Sequence, residues 1–172
     1  MRIGILGAGG IARKMARTIT GMKGVEAYAV ASRSEEKSKA FAKEFGFTRA
    51  YGSYERMLED AAVDLVYIAT PHSHHHDHTL LALDHGKPVL CEKAFAVNEK
   101  QAREMIEAAE KKNLLLAEAL WTRYMPMRRT LDEIIASGIA GNISSLTANL
   151  GYPLRHVGRM VEPSLAGGAL LD

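Results

Sequence analysis

From Arg2 to Ala12 the chain reads RIGILGAGGIA, and few folds admit such a stretch so close to a first residue. Ile3, Ile5 and Leu6 form a short apolar run bounded at once by glycine, the pattern of a strand buried on both faces of a parallel sheet. Gly7-Ala8-Gly9-Gly10-Ile11-Ala12 follows as a G-x-G-x-x-A loop, and Ile11, Met15 and Ile19 then recur at helical spacing. Gly7 permits the tight turn out of the strand. Gly9 lets the backbone approach a diphosphate with no Cβ in the way, and Ala12 allows helix and strand to touch. The helix start offers free N–H groups and the positive end of its dipole. A strand, a glycine loop and a helix in this order point to dinucleotide binding, with Gly7, Gly9, Gly10, Ile11 and Ala12 at the ligand. A methyltransferase-type glycine loop and a merely structural turn are the alternatives.

The rest of the chain repeats the alternation. Val25 to Ala31, Ala50-Tyr51, Val63 to Ala69, Pro88 to Cys91 and Leu114 to Ala119 read as further strands. Between them, Ser34, Ser53 and Asn98 stand as helix N-caps, and Gly46 and Gly86 as helix stops. Phe41 and Phe45 with Ala40, and Met105 with Ala102, Ile106 and Ala109, are the expected buried stripes. Crossovers long enough for helices require parallel pairing, so the fold class is α/β, a Rossmann-type doubly wound sheet. This first domain is expected over residues 1–120. Residues 121–172 read as the start of a truncated α+β second domain: a helix over Pro126 to Ser137, a turn at Gly138 and Gly141, and a strand over Ile143 to Leu150.

Charge and cysteine usage remove other classes. With 22 basic and 20 acidic residues the net charge is +2, too balanced for a nucleic-acid footprint. The single Cys91 excludes an internal disulfide framework and makes a reducing cytoplasm the default. No apolar stretch reaches transmembrane length and glycines interrupt the N-terminal run, so neither a membrane span nor a signal peptide is expected.

In a doubly wound sheet, ligands sit beyond the C-terminal ends of the strands. Besides the glycine loop, that rule selects residues 32–37, 70–75 and 91–94. At the end of the second strand an NAD site normally places a carboxylate; here stand Ser32, Arg33 and Ser34, with Lys37 one turn on. These groups suit a monophosphate and favour NADP over NAD, although Glu35 and Glu36 could offset them in a solvated loop. The run His72-Ser73-His74-His75-His76-Asp77-His78 lacks thiolate or carboxylate company, so no metal is expected there. Lys93 ends the fifth strand where a nicotinamide would lie. It can relay a proton to a substrate oxygen and stabilise alkoxide charge, or be half of a surface pair with Glu92.

Three segments, GAGGIA, VDLVYIATPHSHH and GKPVLCEKA, resemble the glucose–fructose oxidoreductase/inositol dehydrogenase (Gfo/Idh/MocA-type) family in order and spacing. The likeness runs from Arg2 to Asp172. EALWTRYMP (Glu118–Pro126) and AGGALLD (Ala166–Asp172) are most similar to the branch of dimeric dihydrodiol dehydrogenase and related NADP-dependent sugar or diol dehydrogenases. The resemblance implies that Lys93 is the catalytic lysine, that Asp172 is the aspartate of the second motif, and that Thr70, Pro71, His72, His75 and Glu92 lie at the cofactor. It implies Arg33 and Lys37 at a 2′-phosphate, Trp121 and Arg123 beside the nicotinamide pocket, and Arg155, His156 and Arg159 as weaker substrate contacts. His72 stands where the family has Asn, and Ala94 where it has Pro.

The implied function is NADP-dependent hydride transfer between nicotinamide and a carbinol carbon of a sugar, polyol or trans-dihydrodiol. Its partner would be a small carbohydrate or diol, its full-length form a homo-oligomer. The continuation of the motif after Asp172 is not part of these 172 residues, so the chain alone is expected to turn over little. The alternative is a catalytically silent dinucleotide-binding module with a sensing or scaffolding role, favoured by Ala94 and opposed by the intact Glu92-Lys93 pair.

Overall fold

The apolar run at the N-terminus forms the central strand. In the computed structural model, which describes residues 1–149, 151–153 and 156–167, β1 (Arg2–Leu6) lies in parallel between β2 (Glu26–Ala31) and β4 (Leu65–Ile68). Ile5 and Leu6 have no exposed surface, as a strand covered on both faces requires. With β3 (Arg49–Tyr51), β5 (Val89–Cys91) and β6 (Leu116–Glu118), the described residues make a six-stranded sheet in the order β3-β2-β1-β4-β5-β6. Every ladder in it is parallel.

Helices cover both faces. On one, Ala12, Ala16 and Ile19 of α1 (Gly10–Thr20) and Phe41 of α2 (Glu35–Phe45) close over Ile3, Ile5, Val30 and Tyr67. On the other, α3 (Tyr54–Leu58), α4 (His75–Asp84) and α5 (Glu99–Lys112) bring Met57, Leu58, Leu83 and Met105 onto Leu6, Val66, Ile68 and Cys91. Ser34, Ser53 and Asn98 act as the expected N-caps, their side chains accepting from the N–H groups of Lys37, Arg56 and Gln101. Each such cap is worth about 1 kcal/mol. Gly46 and Gly86 end their helices at φ +73° and +70°.

Several expectations shift in detail. The buried stripe of α1 is built on Ala12 and Ala16 rather than Ile11, which is 38% exposed; small residues let the helix sit close to β1. In α2 the buried alanine is Ala42, not Ala40, and in α5 Ile106 faces outward while Met105 and Ala109 face in. The helix expected from Ser73 opens with a 3-10 turn, His72–His74, before α4 begins.

Past residue 120 the helix α6 (Pro126–Ala136) forms as expected, with Pro126 in its first turn. Gly138 and Gly141 follow at positive φ. The strand expected over Ile143 to Leu150 does not form across its described residues, 143–149, which are exposed and belong to no ladder. A strand exists only beside a partner, and no described segment lies alongside this one. A short helix, α7 (Gly158–Val161), and a 3-10 turn, Pro163–Leu165, complete the described chain, and that turn rests near His72–His74. Among the described residues no helix is long and apolar enough to cross a membrane.

Candidate functional site

The strand order reverses between β1 and β4, and the crevice beyond their C-terminal ends is where an open α/β sheet receives ligands. The chain leaves β1 through Gly7 at φ +101°, and a Cβ there would lie 2.8 Å from the carbonyl oxygen of Ala69. Only glycine satisfies both demands. Two backbone bonds fix the spot, Gly7 N–H to the Ala31 oxygen and Ala69 N–H to the Leu6 oxygen, each 2.8 Å. Gly9 and Gly10 are different: a Cβ on either would meet nothing within 4 Å. Their bare backbone faces open space at the N-terminus of α1, whose first turn carries no acidic residue. A floor of backbone N–H groups and dipole, free of carboxylates, fits a diphosphate.

Two cavities of about 430 and 350 Å³ meet over this floor and share Gly9, Ala69, Thr70 and Pro71. The smaller one reaches the end of β2, where Arg33 and Lys37 line it with exposed side chains. Ser32 lines it too, but its buried hydroxyl serves the loop, lying 2.7 Å from the Ser34 oxygen and 2.9 Å from the Ser38 hydroxyl. The neighbouring acids are engaged elsewhere. Glu35 pairs with Lys39 at 2.8 Å, which holds its carboxyl below the usual range, and Glu36 accepts from the Ser34 hydroxyl. Arg33 and Lys37 are thus left to face the cavity.

The larger cavity extends to the end of β5 and is lined there by His72, Glu92 and Lys93. The lysine loop is gripped from three elements. The hydroxyl of Tyr67, on β4, donates to Oε1 of the buried Glu92, whose Oε2 accepts the Lys93 N–H at 3.1 Å. Burial and the Glu92 carboxylate push the Tyr67 phenol up, so it keeps the proton it donates. From α4, fully buried His75 places Nδ1 2.7 Å from the Ala94 oxygen and Nε2 2.9 Å from the Thr70 oxygen. From β6, Glu118 accepts the Phe95 N–H at 3.0 Å. The Lys93–Ala94 peptide bond is cis. Cys91 is buried and its thiol is pushed up to about 12, so it is a strand residue and no nucleophile.

Most of the residues singled out from the sequence therefore converge. Gly7, Gly9, Gly10, Ile11, Ser32, Arg33, Lys37, Thr70, Pro71, His72, Glu92 and Lys93 line the two cavities. Ala12 and His75 lie beneath the surface and support it. Trp121, 61% exposed, and Arg123 lie outside both linings, and His156 is exposed. Arg159 belongs to α7, and Arg155 and Asp172 fall outside the described residues. Among the described residues no group of three or more His, Cys, Asp or Glu is arranged to hold a metal ion. His78 instead meets the Thr70 hydroxyl at 3.0 Å, and burial pushes its imidazole down to about 4.

Sequence reasoning missed Lys14 and Tyr54. Lys14 lies four residues after Gly10, on the same helix face, and joins the larger cavity. Tyr54 joins the smaller one. The strand-end rule, applied to the edge strand β3, would have reached it.

Residues 1–120 match the family described as "Oxidoreductase family, NAD-binding Rossmann fold" (GFO_IDH_MocA). D-xylose 1-dehydrogenase (NADP(+)) of Hypocrea jecorina is 43% identical over all of this chain and 50% of its own length. Trans-1,2-dihydrobenzene-1,2-diol dehydrogenase of Mus musculus is 38% identical over all of this chain and 52% of its own. The chain spans about half the length of these relatives. Among solved structures, KijD10, a 3-ketoreductase from Actinomadura kijaniata in complex with TDP-benzene and NADP in an open conformation, superposes with a TM-score of 0.76. It is 30% identical over 81% of this chain and 44% of that one. A substituted form of KijD10 in complex with the same two compounds gives a TM-score of 0.84 over all of this chain and 53% of that one, at 28% identity.

Proposed function

The chain belongs to the GFO_IDH_MocA oxidoreductase family, and from that premise we propose that it binds NADP and takes part in hydride transfer at a carbinol carbon of a sugar, polyol or trans-dihydrodiol. In this reading residues 1–120 form the dinucleotide-binding domain of a cytoplasmic enzyme, 121–172 open a substrate and dimerisation domain, and the full-length protein is a homo-oligomer. The single observation that carries the cofactor reading is the smaller cavity: Arg33 and Lys37 line it, and Glu35 and Glu36 are bonded elsewhere. Two relatives named above, one an NADP(+) dehydrogenase and one solved with NADP, support it.

When bound, NADP supplies the hydride acceptor. Gly9, Gly10 and the N-terminus of α1 would hold its diphosphate, and Arg33 and Lys37 its 2′-phosphate, through charge-assisted bonds. Lys93 would sit at the reacting carbon, its Nζ taking or giving the proton of the substrate hydroxyl and stabilising negative charge on that oxygen. Glu92, held by Tyr67, orients the backbone from which Lys93 projects. By the family resemblance, Asp172 would orient the substrate or a partner acid, Trp121 and Arg123 would belong to the cofactor side near the nicotinamide, and Arg155, His156 and Arg159 would be weaker substrate contacts.

Arg33→Ala tests the reading through cofactor fluorescence. It should weaken NADPH by about 1.5–3 kcal/mol, the worth of a charge-assisted contact, and leave NADH nearly unchanged. Equal losses for both cofactors, or tighter binding of NADH by the parent chain, would overturn it.

A further inference from the structure

Among the described residues Tyr54 is the one aromatic side chain lining the smaller cavity, and three features hold it there. It opens α3 directly after the edge strand β3, which pairs with β2 and so delivers it beside the residues that follow β2. The approach is close: a Cβ on Gly52 would lie 3.0 Å from Cβ of Glu35, so glycine lets the turn before Tyr54 rest on the start of α2. The ring also packs edge-on against His78, centroids 4.7 Å apart at 68°. His78 is itself fixed at 3.0 Å from the Thr70 hydroxyl. Thr70 lines both cavities.

A side chain held in this way is expected to spend its hydroxyl on the fold. Tyr54 does not, for its hydroxyl makes no hydrogen bond among the described residues and is not sealed from solvent. It shares the cavity with Arg33, Ser34 and Lys37 and lies within electrostatic reach of the Arg33 guanidinium. We infer that Tyr54 is a specificity-determining residue whose hydroxyl donates to the 2′-phosphate of NADP, alongside the cations of Arg33 and Lys37. The inference rests on the NADP reading of this cavity. Burial holds the phenol above its ordinary range, so at neutral pH it is a donor and adds no negative charge beside a phosphate. An aromatic body whose conformational freedom is already spent loses little entropy on meeting a ligand.

The test compares NADPH and NADH binding to the 172-residue chain by fluorescence titration in the parent, Tyr54→Phe, Tyr54→Leu and Arg33→Ala. Tyr54→Phe keeps the ring against His78 and removes only the donor, so NADPH should weaken about tenfold, the loss of one bond to a charged group. NADH should stay within about twofold, which also reports that the variant is folded. Tyr54→Leu should match that selective loss and add a smaller one common to both cofactors. The inference fails if Tyr54→Phe binds NADPH like the parent while Arg33→Ala still weakens it selectively. It fails equally if Tyr54→Phe weakens both cofactors alike. If Arg33→Ala shows no selectivity and Tyr54→Phe does, the Arg33 assignment is wrong and the Tyr54 inference stands; if neither shows it, both fall.

Discussion

The carbonyl oxygen of Ala94 lies 2.7 Å from Nδ1 of His75, a contact that ties the lysine-bearing loop after β5 to the first turn of α4. The other ring nitrogen faces the Thr70 oxygen at 2.9 Å, so one imidazole joins the two segments that flank the larger cavity. A neutral ring has one N–H for two acceptors. The carbonyls favour the charged form and burial opposes it; burial prevails and holds His75 below its ordinary value.

His75→Leu, similar in volume, should therefore cost about 1–3 kcal/mol, since the buried carbonyl that takes the ring's one N–H is left without a donor. Urea denaturation of the purified variant measures this. Faster amide exchange over residues 93–96 should accompany it, because the Ala94 anchor is gone. A loss under about 0.5 kcal/mol would mean that water or a shifted loop replaces the ring.

The glycines of the first loop should separate cleanly in mutagenesis. Gly7→Ala places a Cβ at φ +101° and 2.8 Å from a backbone oxygen, so it should cost about 2–3 kcal/mol of stability before any ligand is added. Gly9→Ala meets nothing within 4 Å and has φ −89°, so its unfolding curve should overlay the parent's. Its NADPH affinity should nevertheless drop more than about tenfold, because the new Cβ projects toward the space a diphosphate needs. Equal stability losses in both variants would contradict the two environments.

These two glycines also show what the sequence carries and what it does not. Among the described residues, local pattern placed all six strands and the helix N-caps Ser34, Ser53 and Asn98, because each is set by residues close in sequence: Ile5 and Leu6 before Gly7, Ser34 before Glu35, Asn98 before Glu99. The strand-end rule then located the groove, since parallel order alone brings Gly7, Arg33, Thr70 and Lys93 to one edge. Long-range partnerships were not legible. Nothing local tells that Glu118 accepts from Phe95, that Ser32 is absorbed by Ser38, or that Tyr54 reaches the end of β2. The strand expected over Ile143 to Leu150 failed for the same reason, since alternation describes a residue's faces and not its neighbours.

His78 gives a prediction with a definite sign. Burial and nearby His74 push its titration down to about 4, outweighing the pull of Asp77 and Glu55 in the other direction. Between about pH 6.5 and 4 the unfolded chain binds a proton at this ring that the folded chain refuses, so the ring's contribution is complete above 6.5 and lost as pH falls through that window. His75, shifted the same way, adds to the slope. Replacing His78 with Gln should flatten stability against pH there by about 1.4 kcal/mol per pH unit, one proton's worth. Urea midpoints at half-unit steps from pH 7 to 4 provide the measurement, and parallel curves for parent and variant would refute it.

The bond between Tyr67 and Glu92 is the contact whose loss should reach Lys93. Both side chains are buried, at 2% and 8% exposure, and the tyrosine hydroxyl donates to the carboxylate from β4. Tyr67→Phe removes an oxygen without creating a cavity, so its cost is the unpaired carboxylate oxygen alone, about 1.5–3 kcal/mol for a bond to a charged group. Glu92→Gln keeps the shape and the acceptor for the Lys93 N–H while removing the charge, which should soften the penalty of losing the tyrosine hydroxyl. The double variant should then be less destabilised than the sum of the singles, with a coupling of about 1–2 kcal/mol. Thermal or urea unfolding of the four proteins gives the cycle. Additivity within about 0.5 kcal/mol would show that Tyr67 is held by packing alone and that Glu92 finds its geometry without it.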